Sequence, residues 1–294
     1  MVASEAPLVF NDTACRSDSH DHHTVLDHVT FIVTNPERVK SARMTICRNP
    51  VPLNELDVAR ELARPETKRR FVRSLFDTIE GSYDCFTRWF SLGMDARWKR
   101  RLVRLVSERT APGGRMLDLA TGTGDIAAAI CSGRPETTVV AIDLSIPMLR
   151  RGLRGSQSRY LAAVADMAVL PYPARFFASV TAGYAFRNAP EHSVALAEAF
   201  RVLEPGGWLA TLDFYLPESI FWRRLFVGYL RGSGRLIGRM LHGAPESYGY
   251  ISSSLQRWMT AAEFSEALRG TGFEIAVEHR MLHGGIAIHV ARRP

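Results

Sequence analysis

The residues best suited to do chemistry fall in one short run, Met116-Leu117-Asp118-Leu119-Ala120-Thr121-Gly122-Thr123-Gly124-Asp125. An apolar strand there delivers an acid into a loop with two glycines, and the loop runs straight into a helix. Glycine lets backbone approach a ligand where a β-carbon would collide, and the helix start offers unpaired N–H groups. With Ala127 the spacing is Gly122-x-Gly124-x-x-Ala127, which also satisfies a nicotinamide-dinucleotide fingerprint. Charge separates the two readings. A pyrophosphate on that helix start would be repelled by Asp125, with Asp118 just upstream, whereas a ligand carrying sulfonium and ammonium groups would be attracted.

S-adenosylmethionine is such a ligand and has no phosphates, so the run predicts that cofactor, held by Asp118, Thr121, Gly122 and Gly124. Two further acids fit the same molecule. Val139-Val140-Ala141-Ile142 ends in Asp143, placed to accept both hydroxyls of a ribose diol. The apolar stretch from Leu161 to Ala165 ends in Asp166-Met167, an acid for the adenine amine beside a backbone donor. Any one of these aspartates alone reads as an ordinary loop carboxylate or helix cap. Three in succession, each after an apolar strand, read as a binding series.

The elements that must position these residues follow from periodicity. Short apolar strands near 115–119, 138–142, 160–165, 179–184, 208–214, 274–280 and 285–291 alternate with helices near 124–133, 146–153, 191–203, 218–231 and 260–270. That alternation predicts an α/β fold, a mainly parallel, Rossmann-like sheet of seven strands with helices on both faces. In such a sheet the ligand lies at the carboxyl ends of the strands. Three parts are expected. Residues 1–52 form an extension, disordered over 1–27 and carrying a small hairpin within 28–50. Residues 53–110 form a helical lid or acceptor region, with Phe71, Leu75, Phe76 and Ile79 on one buried face. Residues 111–294 form the cofactor-binding catalytic domain. The His20-Asp21-His22-His23 cluster lacks spaced partners on a predicted element, so no metal site is expected.

Composition narrows the setting. A formal net charge of +7 favours anionic surfaces or substrates. Four cysteines, Cys15, Cys47, Cys85 and Cys131, lie far apart in a chain too large to need disulfide staples, which points to a reducing cytoplasm. No segment reaches the roughly 18 to 20 apolar residues of a membrane span, and the N-terminus lacks signal-peptide features. Nucleic acid is not expected, because no binding module accompanies the charge. Homodimer formation is left open.

Beyond the cofactor loop, Leu203-Glu204-Pro205-Gly206-Gly207-Trp208-Leu209 resembles the turn before the fifth strand of class I methyltransferases. Tyr83-Asp84, Ser91-x-Gly93, Trp98-Lys99-Arg100, Phe186-Arg187-Asn188, Tyr248-x-Tyr250 and His283-Gly284-Gly285-Ile286-Ala287-Ile288-His289 are together similar to the C-methyltransferases of menaquinone and ubiquinone biosynthesis. The similarity runs from about residue 70 to the C-terminus. The chain departs from it at Thr87, where the family usually has Asn, and at Asp95-Ala96, where it often has His-Arg before the Trp-Lys pair. Both changes fall in the helical region expected to face the methyl acceptor.

The resemblance implies a quinol or related aromatic ring as acceptor. It places Arg187 and Asn188 beside that ring, Arg187 to steady developing phenolate charge and orient a water, and Asn188 to bind an oxygen. Tyr184 is a further acceptor contact, and Tyr248, Tyr250 and His283 are candidates for the pocket wall. Between Glu218 and Glu246 stand Arg223, Arg224, Arg231, Arg235 and Arg239 among apolar residues, a composition suited to peripheral contact with an anionic membrane or to the mouth for a prenylated substrate. A solvated basic helix packed by its apolar face accounts for it equally well. A methyltransferase of a specialised aromatic metabolite, acting on carbon, oxygen or nitrogen, stays open, as does a non-catalytic partner protein on the same fold.

Overall fold

The computed structural model describes residues 31–33, 65–79, 81, 87–88, 91–155, 160–242 and 249–294. The expected disorder of 1–27, the second hairpin limb, the helix start over 53–64, and Tyr83, Asp84 and Tyr248 lie outside the described residues. The elements in chain order are β1 (Phe31–Val33), α1 (Pro65–Ile79), α2 (Asp95–Ser107), β2 (Arg115–Leu119), α3 (Asp125–Gly133), β3 (Thr138–Asp143), α4 (Ile146–Gly155), β4 (Leu161–Val164), β5 (Phe177–Gly183), α5 (His192–Val202), β6 (Leu203–Phe214), α6 (Ile220–His242), α7 (Gly249–Gln256), α8 (Ala261–Thr271), β7 (Glu274–Met281) and β8 (Ile286–Arg292), with a short 3₁₀ turn at Leu282–Gly284.

The sheet order is β1-β4-β3-β2-β5-β6-β8-β7. Strands β4, β3, β2, β5 and β6 are mutually parallel, and β8 is antiparallel to both β6 and β7. The seven expected strands are thus present. Phe31–Val33, one limb of the expected hairpin, adds an eighth strand antiparallel to β4. Pairing with an existing edge satisfies a row of backbone groups that an isolated two-stranded hairpin leaves half in water.

The central strands are apolar on both sides because helices cover both faces. Met116, Val139 and Ala141 join Trp98, Leu102, Val106, Ile126 and Ile130 in one core layer. Their neighbours Leu117, Leu119, Val140 and Ile142 join Leu196, Val202, Phe264 and Leu268 in the other. The alternation has the period of two that strand geometry imposes. At the start of β6 the pairing jumps from Phe177–Leu203 to Ser179–Trp208, so the Glu204-Pro205-Gly206-Gly207 turn is a bulge at the entrance to the strand. Helix α8 opens with a full capping box between Thr260 and Glu263 and closes on Gly272 in the left-handed region.

The strand order reverses between β2 and β5, the neighbours from which the sheet grows in opposite directions. A crevice opens there at the carboxyl ends. Helix α1 covers it: Phe71 and Leu75 are buried in the core, while Val72 and Phe76 line the crevice. The helix is anchored by Lys68, whose Nζ donates to the carbonyls of Arg187 (3.2 Å) and Ala189 (2.5 Å). Burial, aided by the nearby Arg187 charge, lowers its pKa to about 8.

Candidate active site

Two continuous hollows make up the crevice. The larger, open to solvent, spans about 770 Å³ and takes walls from Gly122 after β2, Asp143 and Ser145 at the end of β3, Asp166 and Met167 after β4, and Gly183, Tyr184 and Asn188 at the end of β5. The smaller, about 330 Å³, shares Gly122, Gly183 and Tyr184 and is floored by Lys99, Asp118, Thr121 and Asp125. Nine of the ten residues expected to act on a cofactor or acceptor border these hollows or the glycine turn between them.

Asp143 holds the glycine loop in place. Its Oδ2 accepts the Gly122 N–H and its Oδ1 the Ser145 N–H, both at 2.8 Å. Burial raises its pKa to about 6 against the pull of those two bonds, with the neighbouring Asp77 adding to the rise. Asp118 sits beneath the loop, fully buried, with Thr121 Oγ1 donating at 2.5 Å and Thr181 Oγ1 at 2.6 Å. Burial lifts its pKa to about 6 as well, and the Lys99 charge opposes the rise.

The two glycines do different work. At Gly124, φ is +79° and a β-carbon would run into the Tyr160 hydroxyl, so the residue is required by the protein's own packing. At Gly122, φ is +58°, yet a β-carbon would meet no atom of the described residues within 4 Å. The space beside Gly122 is therefore part of the hollow.

Asp166 accepts the Ala168 N–H at 2.8 Å through Oδ1, and its Oδ2 meets Arg69 of α1 at 3.0 Å. Arg69 Nε is buried on the crevice wall without a hydrogen-bond partner among the described residues. Two turns further along α1, Asp77 accepts a 2.5 Å bond from Ser145 Oγ. Arg69, Asp77 and Ser145 carried no signal in the sequence, because α1 brings Arg69 to Asp166 and Asp77 to Ser145 across more than sixty residues of chain.

The residues expected at the acceptor divide into two groups. Tyr184 and Asn188 line the larger hollow. Tyr184 holds a left-handed φ of +58° at the end of β5, as Ala120 does (+48°) at the end of β2, conformations that cost a non-glycine residue about 1 kcal/mol or more. The Tyr184 hydroxyl donates to Asp95 Oδ1 at 2.7 Å. Asn188 donates from Nδ2 to the Tyr184 carbonyl (2.8 Å) and accepts from the Tyr250 hydroxyl at 3.0 Å. Arg187 lies behind them, 4% exposed and off the crevice wall. Its Nε faces Asp213 Oδ1 at 3.6 Å, its Nη1 donates to Ser254 Oγ, and the guanidinium lies over the Phe214 ring at 5.7 Å. Asp213 was legible in principle, since it follows the apolar run of β6 as Asp143 follows β3. The crossing of Asp95 and Tyr184 was not.

An S-adenosyl ligand suits these residues. Asp143 and Asp166 present acids after successive strands, Phe76, Met148 and Met167 supply an apolar wall for a purine, and the smaller hollow is net anionic, with Asp118 and Asp125 against Lys99. Lys99 Nζ bridges Asp125 (2.9 Å) and Asp95 (2.8 Å), so the helix start that would repel a pyrophosphate carries an ion pair with charge to spare. Gly122 leaves the room and Arg69 Nε an unanswered donor.

Comparison with known proteins agrees. The model of the ubiE/COQ5 methyltransferase family matches residues 64–293. A demethylmenaquinone methyltransferase of Thermus thermophilus is 35% identical over 75% of this chain and 100% of its own length. A ubiquinone/menaquinone biosynthesis C-methyltransferase of Methylobacterium nodulans is 36% identical over 76% of this chain and 91% of its own. Among solved structures, a putative methyltransferase in complex with the Haloferax volcanii Trm112 activator superposes with a TM-score of 0.54 at 19% identity, covering 74% of this chain and 97% of that one. A putative methyltransferase from Bacillus halodurans does so at 0.50 and 21%, covering 67% and 98%. Those two likenesses concern the fold. With the family model and relatives of this identity spanning most of the chain, the protein belongs to the ubiE/COQ5 methyltransferase family and is an S-adenosylmethionine-dependent methyltransferase.

Proposed function

We propose that the protein methylates a ring carbon of a quinol that carries an isoprenoid tail, and that it does so at the surface of an anionic membrane. One observation carries this reading. A third hollow of about 820 Å³, walled by Trp98, Phe214, Trp222, Phe226 and Leu230, runs between α2 and α6. Its inner end is Phe214, whose ring centroid lies 5.2 Å from that of Tyr184 on the crevice wall. At its rim Leu92, Leu225 and Leu282 are 72%, 55% and 41% exposed, and Phe221 nearby on α6 is 67% exposed. A ring head beside Tyr184 and a hydrocarbon tail along this hollow fit one molecule. The exposed Arg224 and Arg231 of α6 stand next to the apolar rim, the pairing expected of a helix that rests on anionic lipid. Among the described residues no helix is long and apolar enough to cross a membrane.

When bound, the cofactor supplies an electrophilic methyl group on sulfonium. Transfer of that methyl to a ring carbon would require the adjacent hydroxyl to pass its proton to water and the carbon to lose its own proton to water afterwards, restoring the ring with its hydroxyl reprotonated, while the cofactor would leave as the neutral thioether. The chain's task is to orient, exclude water and steady phenolate charge. Asn188 Nδ2 retains a second proton for a ring oxygen, since only one is used on the Tyr184 carbonyl. Arg187 acts from behind as a buried cation through Asn188 and Tyr250, and being permanently protonated it is not the base.

The reading is tested by comparing kcat/KM for two quinols that differ only in an isoprenoid tail. The tailed quinol is expected to be better by at least about tenfold, given ~0.8 kcal/mol per buried methylene. A tail-less quinol turned over equally well, with Trp98→Arg leaving both unchanged, would point to a soluble aromatic acceptor.

A further inference from the structure

The Tyr184–Asp95 contact joins two positions 89 residues apart, and one of them is where the chain departs from the family pattern it resembles. Asp95 is buried at the start of α2 and held from three sides. It accepts from Tyr184 at 2.7 Å, pairs with Lys99 Nζ at 2.8 Å, and its backbone N–H donates to Ser91 Oγ at 3.2 Å. An acid at a helix start with a lysine four residues on is ordinary helix chemistry. A buried tyrosine hydroxyl aimed at that acid is not part of such a pair.

A carboxylate beside an ammonium only accepts hydrogen bonds, so the single phenolic proton of Tyr184 is committed to Asp95. What the phenolic oxygen can then offer a third group is a lone pair. We propose that Asp95 sets Tyr184 as a hydrogen-bond acceptor toward the methyl acceptor, and that the pair thereby selects a ring bearing a hydroxyl over its oxidised form bearing a carbonyl. A hydroquinone hydroxyl donates to Tyr184 Oη, whereas a quinone carbonyl sets lone pair against lone pair in a buried site. Sites built to hydrogen-bond a hydroxyl reject analogues that cannot supply it far better than pockets reject a change of size. Selection at binding matters chemically, because only the reduced ring is electron-rich enough to attack a methyl group. Asp95 is the positioning residue and Tyr184 the contact. The inference rests on the aromatic-acceptor reading above.

The test measures binding without turnover. Wild type, Asp95→Ala and Tyr184→Phe, each saturated with S-adenosylhomocysteine, are titrated with 2,3-dimethyl-1,4-naphthoquinol under reductant and with the matching quinone in air. Both ring positions are blocked, so neither methylation nor thiol addition intervenes. Wild type is expected to hold the quinol at least tenfold more tightly than the quinone. Tyr184→Phe is expected to bring the two within about twofold. Asp95→Ala, which frees the phenolic proton to donate, is expected to remove the preference or reverse it. Unchanged S-adenosylhomocysteine affinity shows that the variants are folded, and a purely structural role for Asp95 would move both ligands alike and leave their ratio intact. A wild-type preference that survives Asp95→Ala overturns the inference while the acceptor reading stands. Binding of S-adenosylhomocysteine by wild type with no binding of either ring overturns both.

Discussion

Arg187 Nε stands 3.6 Å from Asp213 Oδ1, with side-chain exposures of 4% and 2%, making this a buried ion pair. Asp213 also accepts the Arg187 N–H at 3.1 Å and the Phe214 N–H at 2.8 Å, so the acid braces the turn that carries Tyr184 and Asn188. Burial pushes the Asp213 carboxyl upward, and Arg187 is the chief influence opposing that. Removing one partner leaves an uncompensated buried charge. Arg187→Ala is expected to lose about 3–5 kcal/mol of stability in urea unfolding, with much of it recovered in Arg187→Met/Asp213→Leu. In the folded fraction turnover should fall while cofactor affinity stays within about twofold, since the guanidinium acts on charge that develops on the acceptor. Full stability in the single variant would remove the bracing role.

The two loop glycines should respond differently to substitution. Gly122→Val is expected to abolish cofactor binding in calorimetry while costing only about 1–2 kcal/mol of stability, the strain of a left-handed non-glycine residue. Gly124→Ala should destabilise more, because the new methyl meets the Tyr160 ring and hydroxyl. Asp143→Ala is expected to weaken the cofactor about ten- to a hundredfold, the loss of hydrogen bonds to a charged group. Wild-type affinity in both Gly122→Val and Asp143→Ala would contradict the cofactor site.

Asp118 and Asp143, each pushed up to about 6 by burial, give the site a pH dependence of defined sign. A cationic cofactor needs them ionised, so affinity should rise with pH through about 6 and level off above it, by about tenfold per unit for each group below that point. Stability runs the other way. Both carboxyls hold protons more tightly folded than unfolded, so their contribution is greatest below about pH 4 and is lost as pH rises through 6. Calorimetric titrations and melting curves between pH 5 and 8 read the two trends, and flat affinity across that range would refute the assignment.

Membrane contact through α6 predicts that the protein sediments with anionic liposomes and detaches in high salt, each surface arginine contributing about 1 kcal/mol. Arg223 donates from Nε to the Pro217 carbonyl at 2.9 Å, so the informative changes are Arg224→Gln and Arg231→Gln, both exposed. Together they should reduce sedimentation at least about tenfold without altering cofactor affinity. Equal sedimentation of variant and wild type would count against the contact.

Strand positions and the three acids of the crevice were legible because each depends on a local pattern, an apolar run that ends in Asp143 or Asp166 or carries Asp118 one residue before its end. The resemblance located Arg187 and Asn188 on the turn after β5 but not their depth, since only the packing of α7 and β6 brings Ser254 and Asp213 around the guanidinium. Arg69 and Asp77 had no signal because α1 folds back over the crevice from far upstream. Asp95 drew notice only as a departure from the pattern, and its meaning needed the left-handed backbone at Tyr184 that turns the phenol toward α2. The strand at Phe31–Val33 matched its sequence in type, while its pairing with β4 is a contact between positions more than a hundred residues apart that no local pattern carries.

The central claim is tested most directly by supplying the protein with methyl-labelled S-adenosylmethionine and a reduced lipid extract, then locating the label by mass spectrometry. The account predicts label on a ring carbon of an isoprenoid quinol and, at a cofactor concentration well below the wild-type Kd, at least about tenfold less of it when Asp143→Ala replaces the wild type. Label on an oxygen or nitrogen of a water-soluble product, or no transfer to any component of the extract, would contradict it.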